Sequence, residues 1–386
     1  MNIGVIGGTE IGLSFALLCE QIGHNVIFSE SEEDYVYNLN NRICITNEPM
    51  IQSMLLGSNS FSATTEILEL MKVSDMIFTF VPTNQSIEGN FDTTKVFDVM
   101  SHFYTLSSLN FPLYEKKFVV CSTTNPGDVS QIQTRLYPYN VQVAYVSEFT
   151  SKGDIVKGFQ QADVLLIGTE YQDFANELIG LFSKIQTTPL NAYMMSIKAA
   201  EISKIAINTL IATKITYANM LGETIINSGL GDEVNMVLSS VCGDSKIDKK
   251  HLKYGFGFGG PSIPKDNRVF GNYINSVGVK SNLPLTIEEY NKNHSEFLKN
   301  YFTQKNPDKS IPFVMENLSH KKGFDIMEES QQFQLCIDLL DEGYTLNVIE
   351  IGEISKKLTQ LSDSYNNRLK FFKMGTNPKG YNINLQ

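Results

Sequence analysis

The sequence predicts an α/β protein: a parallel-sheet domain at the N-terminus, a long central helix, and a smaller C-terminal α/β domain. Three observations carry this expectation. Short apolar runs alternate with helical stretches up to about residue 190, the pattern of strands joined by helices that cover both faces of a parallel sheet. The stretch IKAAEISKIAINTLIATKITYANMLGETIINSG then keeps helical periodicity without a proline. Beyond the polar, turn-rich TQKNPDKS at 303–310, a second and shorter set of apolar runs begins. The expected domains are 1–190, 191–302 and 303–386.

The elements follow in order. NIGVIG, residues 2–7, is an apolar run closed by glycine, and Leu13, Phe15, Leu17 and Leu18 continue it as a helix. GHNVIFSE turns at Gly23 and makes a second strand ending at Glu30, so the first ~30 residues form a βαβ unit. SDMIFTFVP, KKFVVCSTTNPG, VQVAYVSE and ADVLLIG supply further strands. The central helix, from about 195 to 228, would be roughly 45 Å long at 1.5 Å per residue, a spine between domains. More helix is expected up to about residue 300. IPFVMENL, the helix EESQQFQLCIDLLDEG, the strand YTLNVIEIG and a last helix complete a small α/β unit.

Composition narrows the function. Of 386 residues 42% are hydrophobic and 19% charged, ordinary for a globular chain with a core. The net charge of −11 argues against nucleic-acid binding, while local lysines can still hold a small anion. Cys19, Cys44, Cys121, Cys242 and Cys336 are scattered, which fits free thiols in a reducing compartment. The five histidines do not cluster, so no metal site is expected. No run approaches the ~18 apolar residues of a membrane span. MNIGVIGG reads as a strand and turn, and the cytoplasm is the expected location.

The turn GGTEIG, Gly7 to Gly12, is a Rossmann-like dinucleotide fingerprint in which Thr9 takes the middle glycine's place. That glycine normally lets backbone approach a pyrophosphate, and Gly8 next door restores part of the freedom. The helix N-terminus still offers N–H groups to phosphate. Glu30, at the end of the second strand, would accept from ribose hydroxyls and repel a 2′-phosphate, which favours NAD over NADP. The competing reading is a Rossmann-like domain that has lost its cofactor. VPTN at 81–84 and STTNPGD at 122–128 each follow a strand, where ligands lie in open parallel sheets, although either alone would pass as an ordinary turn. Lys204 and Asn208 share one helix face, either as a solvated stripe or pointing into a cleft. GFGFGGPSIPKDN at 255–267 sets glycines beside Lys265 and Asp266, as for a polar, anionic ligand.

GFGFGGPSIPKD resembles the active-site loop of the nucleotide-sugar 6-dehydrogenases, the UDP-glucose and UDP-N-acetylmannosamine dehydrogenase-like family, whose loop has a cysteine where Ser262 stands. The resemblance runs through nearly the whole chain: NEP at 47–49, VPT at 81–83, ST-x-x-PG at 122–127, SEF at 147–149, AEISKIAINTLIATKITYANM, DSKIDKKHLKYG at 244–255 and EES at 328–330. It implies NAD-dependent oxidation of the C6 alcohol of a UDP-sugar to the uronic acid in two hydride transfers, by a homodimer. In the family a cysteine thiolate holds the aldehyde as a thiohemiacetal, which loses the second hydride. By position, Lys204, Asn208 and Asp266 would polarise the reacting oxygens and organise water, and Thr123 and Glu148 would complete that network, with Glu148 as general base. Gly7, Gly8, Thr9, Glu10, Ile11, Glu30, Val81, Pro82, Thr83, Ser122, Thr123 and Lys265 would surround NAD. Phe149, Lys204, Asn208, Lys246, Lys253, Tyr254, Gly255, Phe256 and Gly259 would contact the UDP-sugar.

The departures matter as much. Ser262 occupies the nucleophile's place, and a hydroxyl is far less acidic than a thiol titrating near 8.5. The second oxidation is expected to be impaired and the first to survive. Natural divergence and deliberate replacement of a thiol both produce such a serine. The alternatives are a one-step dehydrogenase that stops at the aldehyde and a catalytically silent homologue that binds nucleotide-sugar. Lys152 stands where a second glutamate often follows, Lys246 where an arginine is usual, and Glu328 where an arginine is common.

Overall fold

The run NIGVIG becomes β1 (Asn2–Ile6), the inner strand around which the first half of the chain is arranged. The computed structural model describes residues 1–147, 150–321, 324, 326–350 and 356–385, in two units, Met1–Lys204 and Ile205–Gln386. After β1 come α1 (Thr9–Gln21), β2 (Asn25–Ser29), α2 (Glu33–Asn40), α3 (Ile51–Gly57), β3 (Phe61–Thr64) and α4 (Ile67–Val73). Then follow β4 (Met76–Thr79), α5 (Thr94–Ser108), β5 (Lys117–Val120), α6 (Asp128–Leu136) and β6 (Gln142–Ser147). The unit continues with α7 (Ile155–Gln160), β7 (Leu165–Gly168), α8 (Gln172–Ile185) and β8 (Ala192–Met195).

These strands form one sheet in the order β3-β2-β1-β4-β5-β6-β7-β8. The order reverses between β1 and β4, and the crevice beyond the carboxyl ends of those strands is where such sheets bind ligands. Both faces are covered, because successive side chains of a strand point to opposite sides. Phe118 and Val120 of β5 enter one apolar cluster and Val119 enters the other. Phe15 of α1 anchors the second cluster, with ring centroids of Phe78, Phe80, Phe159 and Phe182 within 5.5 Å of its own.

One pairing departs from the all-parallel expectation: β7 runs antiparallel to β6. A parallel successor would need a crossover that returns the chain along the sheet. Helix α7 has 6 residues, about 9 Å at 1.5 Å per residue, against roughly 20 Å for the 6 residues of β6. The chain therefore stays at the carboxyl edge and re-enters in the opposite direction.

The long helix is α9 (Ile197–Asn227), 31 residues without interruption, beginning in the first unit and continuing in the second. The second unit adds α10 (Val234–Cys242), α11 (Ile263–Ser276), α12 (Leu283–Lys305), β9 (Phe313–Glu316) and α13 (Gln331–Asp341). It closes with β10 (Leu346–Glu350), α14 (Lys356–Ser364), β11 (Leu369–Lys373) and β12 (Tyr381–Asn382). The four strands pair in parallel in the order β11-β10-β9-β12, two more than the C-terminal reading contained. Phe313, Leu335, Leu339, Leu346 and Leu369 form their core with Leu298 and Phe302 of α12. The expected polar linker is partly helix, since α12 runs to Lys305. Its turn is pinned: Asn306 donates to the Ile311 carbonyl at 3.0 Å and accepts from the Tyr344 hydroxyl at 3.0 Å. Among the described residues, no helix is long and apolar enough to cross a membrane, and no cluster of metal-ligating side chains forms.

Candidate active site

In the first unit the site is built at the carboxyl ends of β1, β4 and β5. Gly7 and Gly8 take φ of 71° and 82°, the left-handed region that favours glycine. A Cβ on Gly12 would lie 2.0 Å from the Gly7 carbonyl oxygen, so the turn and α1 close on each other only with glycine there. Thr9, in the middle glycine's place, accepts φ of 32° and keeps its side chain exposed. Its N–H donates to Glu30 Oε1 at 3.0 Å, which fixes that carboxylate beside the turn. A dinucleotide fits these residues: the first turn of α1 presents amides to phosphate, and Glu30 is oriented to accept from a ribose. Glu10 accepts from Thr46 Oγ1 at 2.5 Å, and Lys152 Nζ lies 3.9 Å from its other oxygen.

The two following loops are stitched together. Thr83 Oγ1 donates to the Thr123 carbonyl at 2.7 Å, and Ser122 Oγ donates to the Val81 carbonyl at 2.7 Å. Val81 packs where Gly7 has no side chain, and Pro82 is exposed. The structure therefore brings Gly7, Gly8, Thr9, Glu30, Val81, Thr83, Ser122 and Thr123 to one edge. Glu10 and Ile11 sit half-buried in the first turn of α1.

A residue the motif reading did not single out anchors the 122–128 loop. Glu201 of α9, wholly buried, accepts from Thr124 Oγ1 at 2.8 Å, Gly127 N at 2.7 Å and Val129 N at 3.0 Å. The last two are amides at the start of α6, so the carboxylate caps that helix. Burial pushes the Glu201 carboxyl up to about 7, against the pull of those donors. Its signal was a glutamate three residues before Lys204, on the same helix face. Lys204 itself is buried at the end of this unit.

In the second unit the glycine loop leads into α11. Asp266 in the first turn of α11 is 2% exposed and accepts from Asn208 Nδ2 of α9 at 2.6 Å. Ser262 is the exposed N-cap of α11, and its carbonyl accepts from the Asp266 amide at 2.9 Å. Thus Ser262, Asp266 and Asn208 come together. Lys265 is half-buried in the same turn.

The loop itself, Gly255 to Gly260, is held by side chains that sequence reading missed. Gly255 N donates to Asn219 Oδ1 at 3.0 Å, and its carbonyl faces His294 Nε2 at 2.8 Å. Gly257 N donates to Gln331 Oε1. Asn291 accepts from Phe258 N at 3.0 Å and donates to the Phe258 carbonyl at 2.9 Å. The collar explains the glycines: a Cβ on Gly257 would meet Asn291 Oδ1 at 2.0 Å, and one on Gly259 the Glu329 carbonyl oxygen at 2.3 Å. Tyr254 is buried, Phe256 half-buried, and Lys253 exposed beside them. Lys246 is exposed, with its amide turned to Asp244 Oδ1 at 2.9 Å. Glu148 and Phe149 lie outside the described residues.

Comparison with known proteins places this arrangement. Residues 1–186 match the NAD binding domain of the UDP-glucose/GDP-mannose dehydrogenase family, and residues 198–293 match that family's central domain. The chain is 22% identical over 353 residues to a UDP-glucose 6-dehydrogenase of Rickettsia bellii, covering 89% of this chain and 79% of that protein. It is 24% identical over 368 residues to a GDP-mannose 6-dehydrogenase of Pseudomonas syringae, covering 91% and 81%. In fold it resembles a UDP-glucose dehydrogenase from the archaeon Pyrobaculum islandicum, with a TM-score of 0.83 at 21% identity over 96% of this chain and 85% of that one. With an NAD-binding Rossmann sheet, a long central helix and a smaller parallel-sheet domain, the chain belongs to the UDP-glucose/GDP-mannose dehydrogenase family.

Proposed function

We propose that this chain oxidises the C6 alcohol of a UDP-sugar with NAD, and that Ser262 leaves the second oxidation impaired. The observation that carries the reading is the buried Asn208–Asp266 pair at the start of α11, directly beside Ser262. NAD supplies the hydride acceptor. Asp266 and Asn208 hold the reacting oxygen and its proton, with Lys204 adding positive charge as the alcohol ionises. Thr123, on the loop that Glu201 anchors, and Glu148 handle water. Gly7, Gly8, Thr9, Glu10, Ile11, Glu30, Val81, Pro82, Thr83, Ser122 and Lys265 serve the cofactor. Phe149, Lys246, Lys253, Tyr254, Gly255, Phe256 and Gly259 serve the nucleotide-sugar. In a family whose curated members include both UDP-glucose and GDP-mannose 6-dehydrogenases, UDP is the base we propose.

Ser262 favours a second reading. Ser262 is an exposed serine at a helix N-cap with no histidine in its own loop, although the His320 ring packs against Gly259 and Gly260, and a hydroxyl is a far weaker nucleophile than a thiolate. The chain would then stop at the aldehyde, or bind the nucleotide-sugar without turnover. NADH released per UDP-glucose, with Ser262 and with Ser262→Cys, separates these: two with cysteine and at most one with serine supports a dehydrogenase whose second step is lost.

The rest of the proposal concerns assembly and place. Leu210, Tyr217 and Met220 expose 61%, 45% and 44% of their surface on α9, apolar area that a homodimer through this helix would cover. No disulfide joins the five cysteines, which supports a reducing, cytoplasmic setting. The division into 1–190, 191–302 and 303–386 is kept as the proposed set of domains.

A further inference from the structure

The chemistry of the loop's collar fixes the whereabouts of one proton. His294 of α12 is 1% exposed, with Nε2 2.8 Å from the Gly255 carbonyl and Nδ1 2.6 Å from Glu223 Oε1 of α9. A carbonyl only accepts, so Nε2 carries hydrogen. An ionised carboxylate also only accepts, so the Glu223 contact needs a hydrogen between Nδ1 and Oε1. A neutral imidazole beside an ionised glutamate has hydrogen for one of these bonds and not for both.

We infer that His294 and Glu223 are positioning residues that share one extra proton, and that this proton lets the ring hold Gly255 at the head of GFGFGG. The inference rests on the proposed function only in taking this loop as the nucleotide-sugar's seat. The ionisable groups facing the ring are Glu223 from α9, Tyr254 from the loop, and Tyr290 from its own helix, with Phe297 stacked on it and Tyr301 one turn further. Burial and the Glu223 carboxylate push the Tyr254 and Tyr290 hydroxyls up, so both stay neutral. Glu223 is therefore the anion the ring meets.

Removal of the proton forces a choice. The bond between Nδ1–H and the carboxylate is charge-assisted and the stronger of the two. A singly protonated ring keeps it and presents a bare Nε2 to the Gly255 carbonyl. The head of the loop is then released, while Asn219, Gln331 and Asn291 still hold the peptides on either side. Binding of UDP-glucose is expected to weaken by about tenfold as the proton is lost, the effect of one hydrogen bond to a charged group.

Glu223→Gln sharpens the test. The amide donates to Nδ1, Nε2–H keeps Gly255, and no extra proton is required. The ring nitrogens of His294 are read by NMR, assigned by replacing each of the other four histidines in turn, together with the carboxyl carbon of Glu223. Imidazolium facing carboxylate, or neutral ring facing carboxylic acid, supports the inference. A neutral ring facing an ionised Glu223 in the native protein overturns it, whatever the activity. Amide exchange at Gly255 and Phe258, corrected for its intrinsic pH dependence, reads the loop. Protection that falls with rising pH in the native protein and stays level in Glu223→Gln supports the positioning role, and equal behaviour of the two overturns it. Absence of UDP-glucose binding at every pH, with the shared proton and the protected loop both present, would count against the proposed function and leave this inference standing.

Discussion

Two loops of this protein are fixed by buried polar groups, gathered on one side chain in the first and spread over several in the second. At 122–129 one carboxylate, Glu201, accepts from two amides and a hydroxyl, while Thr83 and Ser122 stitch the loop to its neighbour. At 255–258 the loop both donates and accepts, and side chains from three helices supply the complement: Asn219 from α9, Asn291 and His294 from α12, Gln331 from α13. The first gathers three bonds on one carboxylate at a helix N-terminus, so those three fail together. The second is distributed, so its bonds fail one at a time. A loop that carries Thr123 near the cofactor edge needs one fixed position. The 255–258 loop has its Gly255, Gly257 and Phe258 amides satisfied by three different side chains.

The largest expected effect sits where the collar meets the chemistry. Asp266→Ala leaves the buried Asn208 amide without its carboxylate, and NADH formation with UDP-glucose should fall by about 10²–10³-fold. Retention of full turnover would remove Asp266 from the reaction.

The anchor's own test is pH. The ordinary carboxyl value is 4.5 and Glu201 is pushed to about 7, so the folded chain binds this proton more tightly than the unfolded one. Stability is therefore lost as pH rises from about 4.5 to about 7, by up to ~3 kcal/mol for a shift of that size. Thermal midpoints between those limits should fall with pH in the native protein, and that part of the slope should vanish in Glu201→Gln. Parallel slopes would show that another group carries the effect.

A pair of glycine substitutions breaks the comparison from both sides. Gly12→Ala drives a methyl into the Gly7 carbonyl, and Gly257→Ala drives one into Asn291 and Gln331, each costing about 1–3 kcal/mol of local strain. The first should weaken NAD binding and spare UDP-glucose, and the second the reverse, measured by calorimetry. Smaller still, Glu30→Ala should weaken NAD by about 0.5–1.5 kcal/mol and narrow its preference over NADP, because the carboxylate held by Thr9 is gone.

Much of this was legible in the sequence, and the boundary has a physical cause. Strand β1 and helix α1 follow from an apolar run and helical spacing, and α9, expected near 195–228, spans Ile197–Asn227. Local patterns report local structure. The strands β3, β8, β11 and β12 were not read, because AYMM is largely exposed and FSAT, LKFFK and YN break their apolar residues with polar ones. The loops were legible as glycine and proline motifs, whereas their anchors were not. Asn291 and Gln331 act on residues 33 and 74 positions away, and no periodicity links them. Glu201 was within reach, since it shares a face with Lys204.

We propose that the chain carries out the first oxidation and is impaired in the second, with Ser262 standing where a thiol is expected. This is tested most directly by counting NADH formed per UDP-glucose consumed, in the native chain and in Ser262→Cys. The account predicts at most one NADH and an aldehyde with serine, and two NADH and a uronic acid with cysteine. Two NADH from the serine protein, or none from either while UDP-glucose still binds, would contradict it.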